Sequence, residues 1–428
     1  MRWAVVIAVV FSLITAEPAF AQIDFERAPI HYHSAVSHDR VAKLIAALDA
    51  GETELTAEGS GAWLLPLLKA LEVDVDTQNL VFSKTSLQIS KISPRTPRAV
   101  YFNDDIYVGW VPGGDLIELG AIDPKLGAVF YTLDQTDDET PKIERVTEQC
   151  LSCHGTSRTK LIPGFLTRSM VTRKTGHPDY GFNSEHVDHT IPFKDRFGGW
   201  YVTGTHGEMR HMGNAFSDNA DREKPLDLEP GANCTDLTPY FSPKRYPSPH
   251  SDIVALMVLD HQSQMHNLIT AAAYAHARAQ FNYDRLFTPP EDRDGYVRER
   301  CVREVNRLVE GLLFGDEFQL TSPVAGTTTF RERFEKQGPT DSRGRSLRQF
   351  DLQTRLLKYP CSYLVYSDGF RGLPPLVLDL ISKRLDEVLS SEPGDEKDLF
   401  RYLTVEDRNV IREILIETAT HLSLGKQG

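Results

Sequence analysis

Two cysteines and a histidine stand together in the chain as Cys150-Leu151-Ser152-Cys153-His154. Cysteines three residues apart lie on one helical turn, so each thiol can add across a vinyl group of the same porphyrin. The next residue, His154, then points its imidazole at the iron as the proximal ligand. The spacing therefore predicts one covalently attached haem c, held by Cys150 and Cys153.

A redox-active disulfide and a structural zinc site are the alternatives for this cysteine pair. A thioredoxin-like pair belongs at a strand-to-helix junction of a βαβ unit, whereas the acidic loop TDDETPKIERVTEQ precedes this one. A zinc site needs a second close pair of ligands, and Cys234, Cys301 and Cys361 are isolated. Haem is the favoured interpretation. Those three cysteines allow either one disulfide or buried apolar thiols, and the sequence leaves the choice open.

The N-terminal residues MRWAVVIAVVFSLITAEPAFAQ have the pattern of a secretory signal. Arg2 supplies the positive charge, residues 3–14 the apolar stretch, and Ala19-Phe20-Ala21 the cleavage pattern. Twelve apolar residues rise only about 18 Å as a helix, less than the roughly 30 Å core of a bilayer. We expect a signal peptide over 1–21 and a periplasmic mature chain without an integral membrane segment.

The export segment and the CLSCH motif resemble those of c-type cytochromes. The resemblance implies a haem c cofactor, electron transfer and maturation in the periplasm. It covers only the signal and the five motif residues. Small cytochrome c carriers are much shorter than this chain, so the resemblance does not supply a fold for the remainder.

Charge restricts the class of partner. The 428 residues include 60 acidic and 47 basic side chains, for a formal net charge of −13. Nucleic-acid binding needs a basic stripe, so no nucleic acid is expected. Electrostatic steering instead favours a redox partner protein with a basic docking face.

Length and patterning predict an α+β protein in two parts. Short β-rich runs over 80–134 predict a small antiparallel sheet, with a hairpin that turns at residues 103–105. The haem motif follows on a short helix beginning near Glu144. The predicted parts are a mixed α/β haem-binding region over 22–250 and a mostly helical region over 251–428.

Capping signals mark two helices of the second part. Ser251 is the predicted N-cap of a long apolar helix. Thr404 and Asp407 have the spacing of a capping box at the start of the last helix.

The distal position of the iron decides what a haem does. A Met ligand raises the reduction potential, a second His lowers it, and an open site admits substrate or peroxide. Met212 and His211 are the leading candidates, because their glycine-flanked loop can approach a flat macrocycle closely. Met170 and His261 are weaker candidates. Three arginines are candidate partners for the haem propionates: Arg158, Arg168 and Arg210.

Three functions fit these features. The first is a periplasmic c-type cytochrome that transfers electrons, alone or as part of an oxidoreductase. The second is a haem c enzyme, a peroxidase or small-molecule dehydrogenase, with an open distal site and His206, Glu208 and His211 for acid–base chemistry. The third is a haem-based sensor or binding module whose helical half docks a partner.

Overall fold

A computed structural model describes the chain over residues 24–58, 62–136, 141–182, 184–217, 225–286, 292–394 and 398–425. The predicted signal peptide lies outside the described residues. Within them the fold is α+β, with antiparallel strands in the N-terminal half and helices concentrated in the C-terminal half, which confirms the predicted class.

The described strands form one large and one small sheet. Their bounds are β1 (Asn79–Val81), β2 (Arg98–Phe102), β3 (Ile106–Trp110), β4 (Leu116–Asp123), β5 (Gly127–Asp134), β6 (Ile143–Arg145), β7 (Arg168–Met170), β8 (Ser184–His186) and β9 (Trp200–Tyr201). The large sheet is antiparallel in the order β6-β5-β4-β3-β2-β1-β9, and β7 pairs with β8.

The hairpin between β2 and β3 turns where the sequence predicts it. Phe102 pairs with Tyr107 across the ladder. The side-chain oxygen of Asn103 accepts hydrogen bonds from the backbone N–H groups of Asp105 (3.1 Å) and Ile106 (3.0 Å). This use of an Asn side chain to close a turn is the reason that Asn is common in such loops.

The described helices are α1 (Arg40–Asp49), α2 (Leu64–Ala70), α3 (Glu148–His154), α4 (Ile253–Leu286), α5 (Arg293–Leu312), α6 (Phe330–Lys336), α7 (Asp368–Arg371), α8 (Pro375–Ser390) and α9 (Val405–Thr418). The helix α4 is the central one: it packs on α5 and on β5. No helix in the described part of the chain is both long and apolar enough to cross a membrane.

Two predicted helix starts differ from the structure. Glu144 lies in β6, because residues 143–145 pair with β5 as an additional strand, and the motif helix begins only at Glu148. Ser251 does not cap α4, since its hydroxyl donates to the Tyr201 carbonyl (2.6 Å). The carboxylate of Asp252 caps the helix instead, by accepting from the Val254 N–H (2.8 Å). The capping box of α9 is confirmed.

One face of the large sheet contacts the segment that contains Cys150, Cys153 and His154. This front face carries Tyr107, Gly109, Glu118, Gly120 and Phe130, which the register places side by side across β3, β4 and β5. The helix α4 covers the Tyr107 end, where the phenol hydroxyl is 2.9 Å from Nδ1 of His266. At β5, the Phe130 ring of this face packs against His154 of α3.

Both predicted parts contribute to one core. A contiguous cluster of buried apolar side chains includes residues from Phe25 to Leu424. The boundary near residue 250 stays a prediction. Cys301 and Cys361 are free thiols buried in this cluster, and Cys234 is a partly buried free thiol.

The anchoring of α4 gives a stability prediction. One oxygen of Asp252 caps the helix, and the other accepts from the N–H groups of Thr327 (2.7 Å) and Thr328 (2.9 Å). We expect Asp252→Ala to lower the free energy of unfolding by about 2–4 kcal/mol, because it removes a cap and leaves buried donors unpaired.

Urea denaturation measures this loss. Asp252→Asn retains one acceptor oxygen and should lose less. The control is Asp294→Ala in the exposed first turn of α5, which should change stability by less than about 0.5 kcal/mol. Equal losses for Asp252→Ala and Asp294→Ala would contradict the anchoring role.

Candidate functional site

The two motif cysteines are available for chemistry. Both lie on the two-turn helix α3 and both are free thiols, Cys150 partly buried and Cys153 exposed. The helix ends where the Gly155 N–H donates to the Leu151 carbonyl (2.9 Å). A short helix between β6 and a tight loop thus presents both thiols and His154 from consecutive turns.

The imidazole of His154 is held in one tautomer. Its Nδ1 lies 2.9 Å from the backbone oxygen of Gly164. Since a carbonyl only accepts, Nδ1 carries the proton and donates, and the lone pair of the neutral ring is on Nε2. Burial lowers the pKa of His154, which favours this neutral form. The ring packs against Phe130, with centroids 4.8 Å apart. A neutral imidazole with a fixed Nδ1 proton is the form that binds iron.

The carbonyl of Gly164 is itself fixed by α4. Asn267, which is buried, accepts from the Phe165 N–H (2.9 Å) and donates to the Phe165 carbonyl (2.9 Å). Residue 164 must be glycine here, because a Cβ would collide with the Asn267 side-chain oxygen. These two hydrogen bonds hold Phe165 in place. Its N–H belongs to the same peptide as the Gly164 carbonyl that accepts from His154. Asn267 is therefore a positioning residue for His154.

An ion pair on the front face lies beside the motif. Arg98 reaches across Gly109 to Glu118, 3.1 Å away, with side chains 23% and 13% exposed. Burial raises the pKa of Cys150 to about 11, and the charge of Glu118 adds to the increase. The same two charges act on His154. Nε of Arg98 and one oxygen of Glu118 are buried without a hydrogen-bond partner among the described residues.

Two of the predicted propionate partners lie near the exposed thiol. Burial lowers the pKa of Arg168, the positive charge of Arg158 lowers it further, and Cys153 acts in the opposite direction. Arg158 and Arg168 are thus within electrostatic range of Cys153 and of each other. Arg210 is engaged elsewhere, in a bidentate pair with Glu229 (2.9 Å for both contacts).

No protein-family model matches the chain, and neither the curated proteins nor the solved structures give a match.

The predicted acid–base group is only partly assembled. The rings of His206 and His211 lie 4.6 Å apart, and the Glu208 side chain is exposed. Nδ1 of His206 donates to the Met209 carbonyl (2.7 Å), and its Nε2 accepts from the Asn233 N–H (2.9 Å). Both nitrogens of His206 are therefore used.

The imidazole of His211 is buried among aromatic rings. Its Nδ1 accepts from the Gly213 N–H (3.0 Å), and the Phe193 and Phe197 rings pack at 5.6 and 5.4 Å. Burial lowers the pKa of His211 to about 3. His211, which is a predicted distal ligand, thus already uses one ring nitrogen to accept a hydrogen bond.

The fourth predicted histidine, His261, belongs to a buried chain of hydrogen bonds. Nε2 of His189 donates to the Gly315 carbonyl (3.2 Å), so its Nδ1 accepts from Nδ1 of His261 (3.1 Å). The Ser362 hydroxyl then donates to Nε2 of His261 (2.8 Å). Every ring nitrogen of His189 and His261 has a hydrogen-bond partner. This is the pattern of a network that stabilises the fold.

Met170 and Met212 are the two predicted methionine ligands. Among the described residues, neither sulfur atom takes part in a hydrogen bond. Met170 is buried on β7, two residues after Arg168 and thus on the same side of the strand. Met212 is half-buried, and its backbone N–H donates to the Arg196 carbonyl (2.9 Å).

Sequence reasoning misses Arg98, Glu118 and Asn267. No local pattern singles them out, because their roles depend on strand register and on the contact between α4 and the loop over 155–164. Only Asn267 has a weak indication in the sequence. It is an Asn inside a long apolar helix, and a buried amide needs hydrogen-bond partners.

The His189–His261 network predicts a pH dependence of stability. Burial lowers the pKa of His189 to about 4. Between pH 4 and the ordinary histidine value of about 6.5, the unfolded chain binds a proton that folded His189 does not. Stability should fall as the pH falls through this window, by up to ~1.4 kcal/mol per pH unit for each such histidine.

Urea denaturation at pH 7, 6 and 5 measures the slope. His189→Gln should reduce the slope by about one proton's contribution, because a glutamine does not titrate. The matched control is the exposed His177→Gln, for which no change in slope is expected. A slope that His189→Gln leaves unchanged would count against this account.

Proposed function

We propose that this chain is an exported monohaem c-type cytochrome that transfers electrons in the periplasm, alone or within an oxidoreductase. The hydrogen bond from Nδ1 of His154 to the Gly164 carbonyl carries the proposal, because it frees Nε2 one residue beyond two free thiols. A haem bound here supplies a one-electron couple.

The donor set fits covalent attachment. The S–H bond of each cysteine adds across one vinyl group: sulfur bonds to the inner vinyl carbon, and a hydrogen ends on the outer one. No oxidant or leaving group is needed for this addition. Cys150 remains a thiol at neutral pH, because burial raises its pKa to about 11. Nε2 of His154 then serves as the proximal ligand.

Charged side chains around the motif would adjust the potential of the bound iron. Arg158 and Arg168 lie near Cys153 and are the proposed propionate partners, since guanidinium groups bind carboxylates bidentately. Arg98 and Glu118 lie within electrostatic range of Cys150 and His154. Nearby charge and solvent exposure both tune haem potentials.

Partner and location follow from charge and from the N-terminal segment. A net charge of −13 favours a redox partner with a basic docking face. The signal pattern over 1–21 supports export to the periplasm, where haem c is attached.

We propose Met170 as the distal ligand. Its support is the position of Arg168, on the same side of β7 and within electrostatic range of Cys153. His206, His211 and His261 would each have to give up a hydrogen bond to bind iron. In His211, Nδ1 accepts from the Gly213 N–H, so the proton of the neutral ring is on Nε2. A thioether gives up none.

Covalent attachment is tested by mass. Produced with a cytochrome c maturation system, the denatured protein should have the mass of residues 22–428 plus one haem. The double variant Cys150→Ser, Cys153→Ser should carry none, because both thioether bonds are lost. The control Cys234→Ser removes another partly buried thiol and should retain the haem. Haem that survives acid–acetone extraction from the double variant would refute the assignment.

The distal ligand is tested by spectroscopy. The oxidised protein should be low-spin and show the weak near-infrared charge-transfer band of methionine ligation. Met170→Ala should abolish that band and lower the reduction potential, since a Met ligand raises it. The control Met212→Ala should retain both properties.

Other outcomes discriminate the alternatives. Loss of the band only in Met212→Ala would transfer the distal role to the loop over 206–212. A high-spin wild-type iron that reacts with peroxide would replace electron transfer with the haem c enzyme.

A further inference from the structure

A cleft of about 680 Å³ opens between α4, α5 and the loop that follows the haem motif. Small-molecule sites in proteins commonly measure about 300–1,000 Å³, so this volume suits a small organic ligand. The cleft does not include Cys150, Cys153 or His154 in its lining.

The charge of the cleft is opposite to that of the whole chain. Four carboxylates line it, from Asp188, Glu304, Glu310 and Asp316. Five cationic side chains converge on the same space: Lys160, Arg278, Arg300, Arg303 and Arg307. A local excess of positive charge is notable in a chain whose acidic side chains outnumber the basic ones by 60 to 47.

Two of the four carboxylates are committed to neighbours. Asp188 accepts from the N–H (2.9 Å) and the hydroxyl (2.6 Å) of Thr190. Glu304 is largely buried and serves both Arg303 (2.8 Å) and Arg307 (3.4 Å). One carboxylate thus shares its charge between two guanidinium groups, which leaves positive charge for a ligand.

Lys160 faces Arg307 across the cleft. It lies in the loop after the haem motif with a φ of 58°, and the next residue, Leu161, has a φ of 60°. Left-handed backbone is uncommon for residues other than glycine and indicates a loop held in a defined shape. Burial lowers the pKa of Lys160, and the charge of Arg307 is the next largest cause. The charges of Glu304, Asp188 and Glu310 act on Lys160 in the opposite direction, so Lys160 and Arg307 are like charges in a cleft that also holds carboxylates.

Apolar side chains also line the cleft, beside the polar side chains of Thr190 and Gln264. They include Ile162 from the loop and Leu268, Ala271 and Tyr274 from α4. The guanidinium of Arg278 lies over the Tyr274 ring, 5.3 Å from its centroid. Apolar surface beside several cations favours a ligand with a carbon skeleton over an inorganic ion, because burial of that skeleton adds to the charge contacts.

We infer that this cleft is a binding site for a small organic dianion of the dicarboxylate class, with Lys160 and Arg307 as its charge contacts. The ligand neutralises these two like charges, and its carbon chain lies along Ile162 and Leu268. This site stands apart from the proposed haem function. It would remain if the haem assignment failed.

Calorimetric titration of the mature protein with succinate tests the site, with succinamide and putrescine as neutral and cationic probes of similar length. We expect saturable binding of succinate alone. Lys160→Gln and Arg307→Gln should each weaken it by about tenfold or more, because each removes a charge-assisted contact. Lys160→Arg should restore most of the affinity.

The matched control is Arg298→Gln. Arg298 is on the same helix but pairs with Asp379 (2.6 Å) and does not line the cleft. Its variant should bind succinate as the wild type does. Binding of putrescine in preference to succinate would overturn the proposal. So would an equal response to succinate and sulfate at matched ionic strength, or equal losses in all variants including Arg298→Gln.

Discussion

The orientation of one imidazole depends on a single backbone carbonyl. Nδ1 of His154 donates to the Gly164 carbonyl, and the next residue, Phe165, is held at both its N–H and its carbonyl by the amide of Asn267. A buried amide must satisfy its donors and acceptors, so Asn267 has no alternative position of similar energy. The long helix α4 thus fixes the ring through the loop, and the anchoring of α4 at Asp252 supports the candidate site from a distance.

The front face of the sheet adds a second constraint. Arg98 can reach Glu118 only because residue 109 lacks a side chain, since a Cβ there would lie 2.7 Å from Nε. Ion pairs this poorly exposed seldom add net stability, because desolvation offsets most of the attraction. Nε of Arg98 and one oxygen of Glu118 are buried without a hydrogen-bond partner among the described residues, which lowers the stability further. The position of the pair beside Cys150 and His154 gives it an electrostatic role that its stability contribution does not explain.

Local patterns in the sequence were enough for much of the fold. Short β-rich runs predict β4 and β5, residues 103–105 predict the hairpin, and Thr404 with Asp407 predicts the start of α9. The motif helix begins at Glu148 rather than near Glu144, because residues 143–145 pair with β5 in a way that no local signal encodes. Asn267 and Arg98 escaped prediction for the same reason: their partners are distant in the sequence. Cys150, Cys153 and His154 form a contiguous motif, so the sequence alone is enough to predict them as a haem site, and that assignment stays a prediction.

Hydrogen-bond saturation also bears on the distal ligand. The sequence alone makes any histidine a candidate ligand. Metal binding also requires a ring nitrogen whose lone pair is not already used in a hydrogen bond. His261 would have to leave the Ser362 hydroxyl unpaired in the core, at a cost of about 1–3 kcal/mol. His206 would release the Asn233 N–H in the same way. A methionine sulfur is a weak acceptor with no such partner to abandon. For a haem bound at this site, these hydrogen bonds would therefore favour a thioether over an imidazole as the distal ligand, and Met170 is the methionine on the same strand as Arg168.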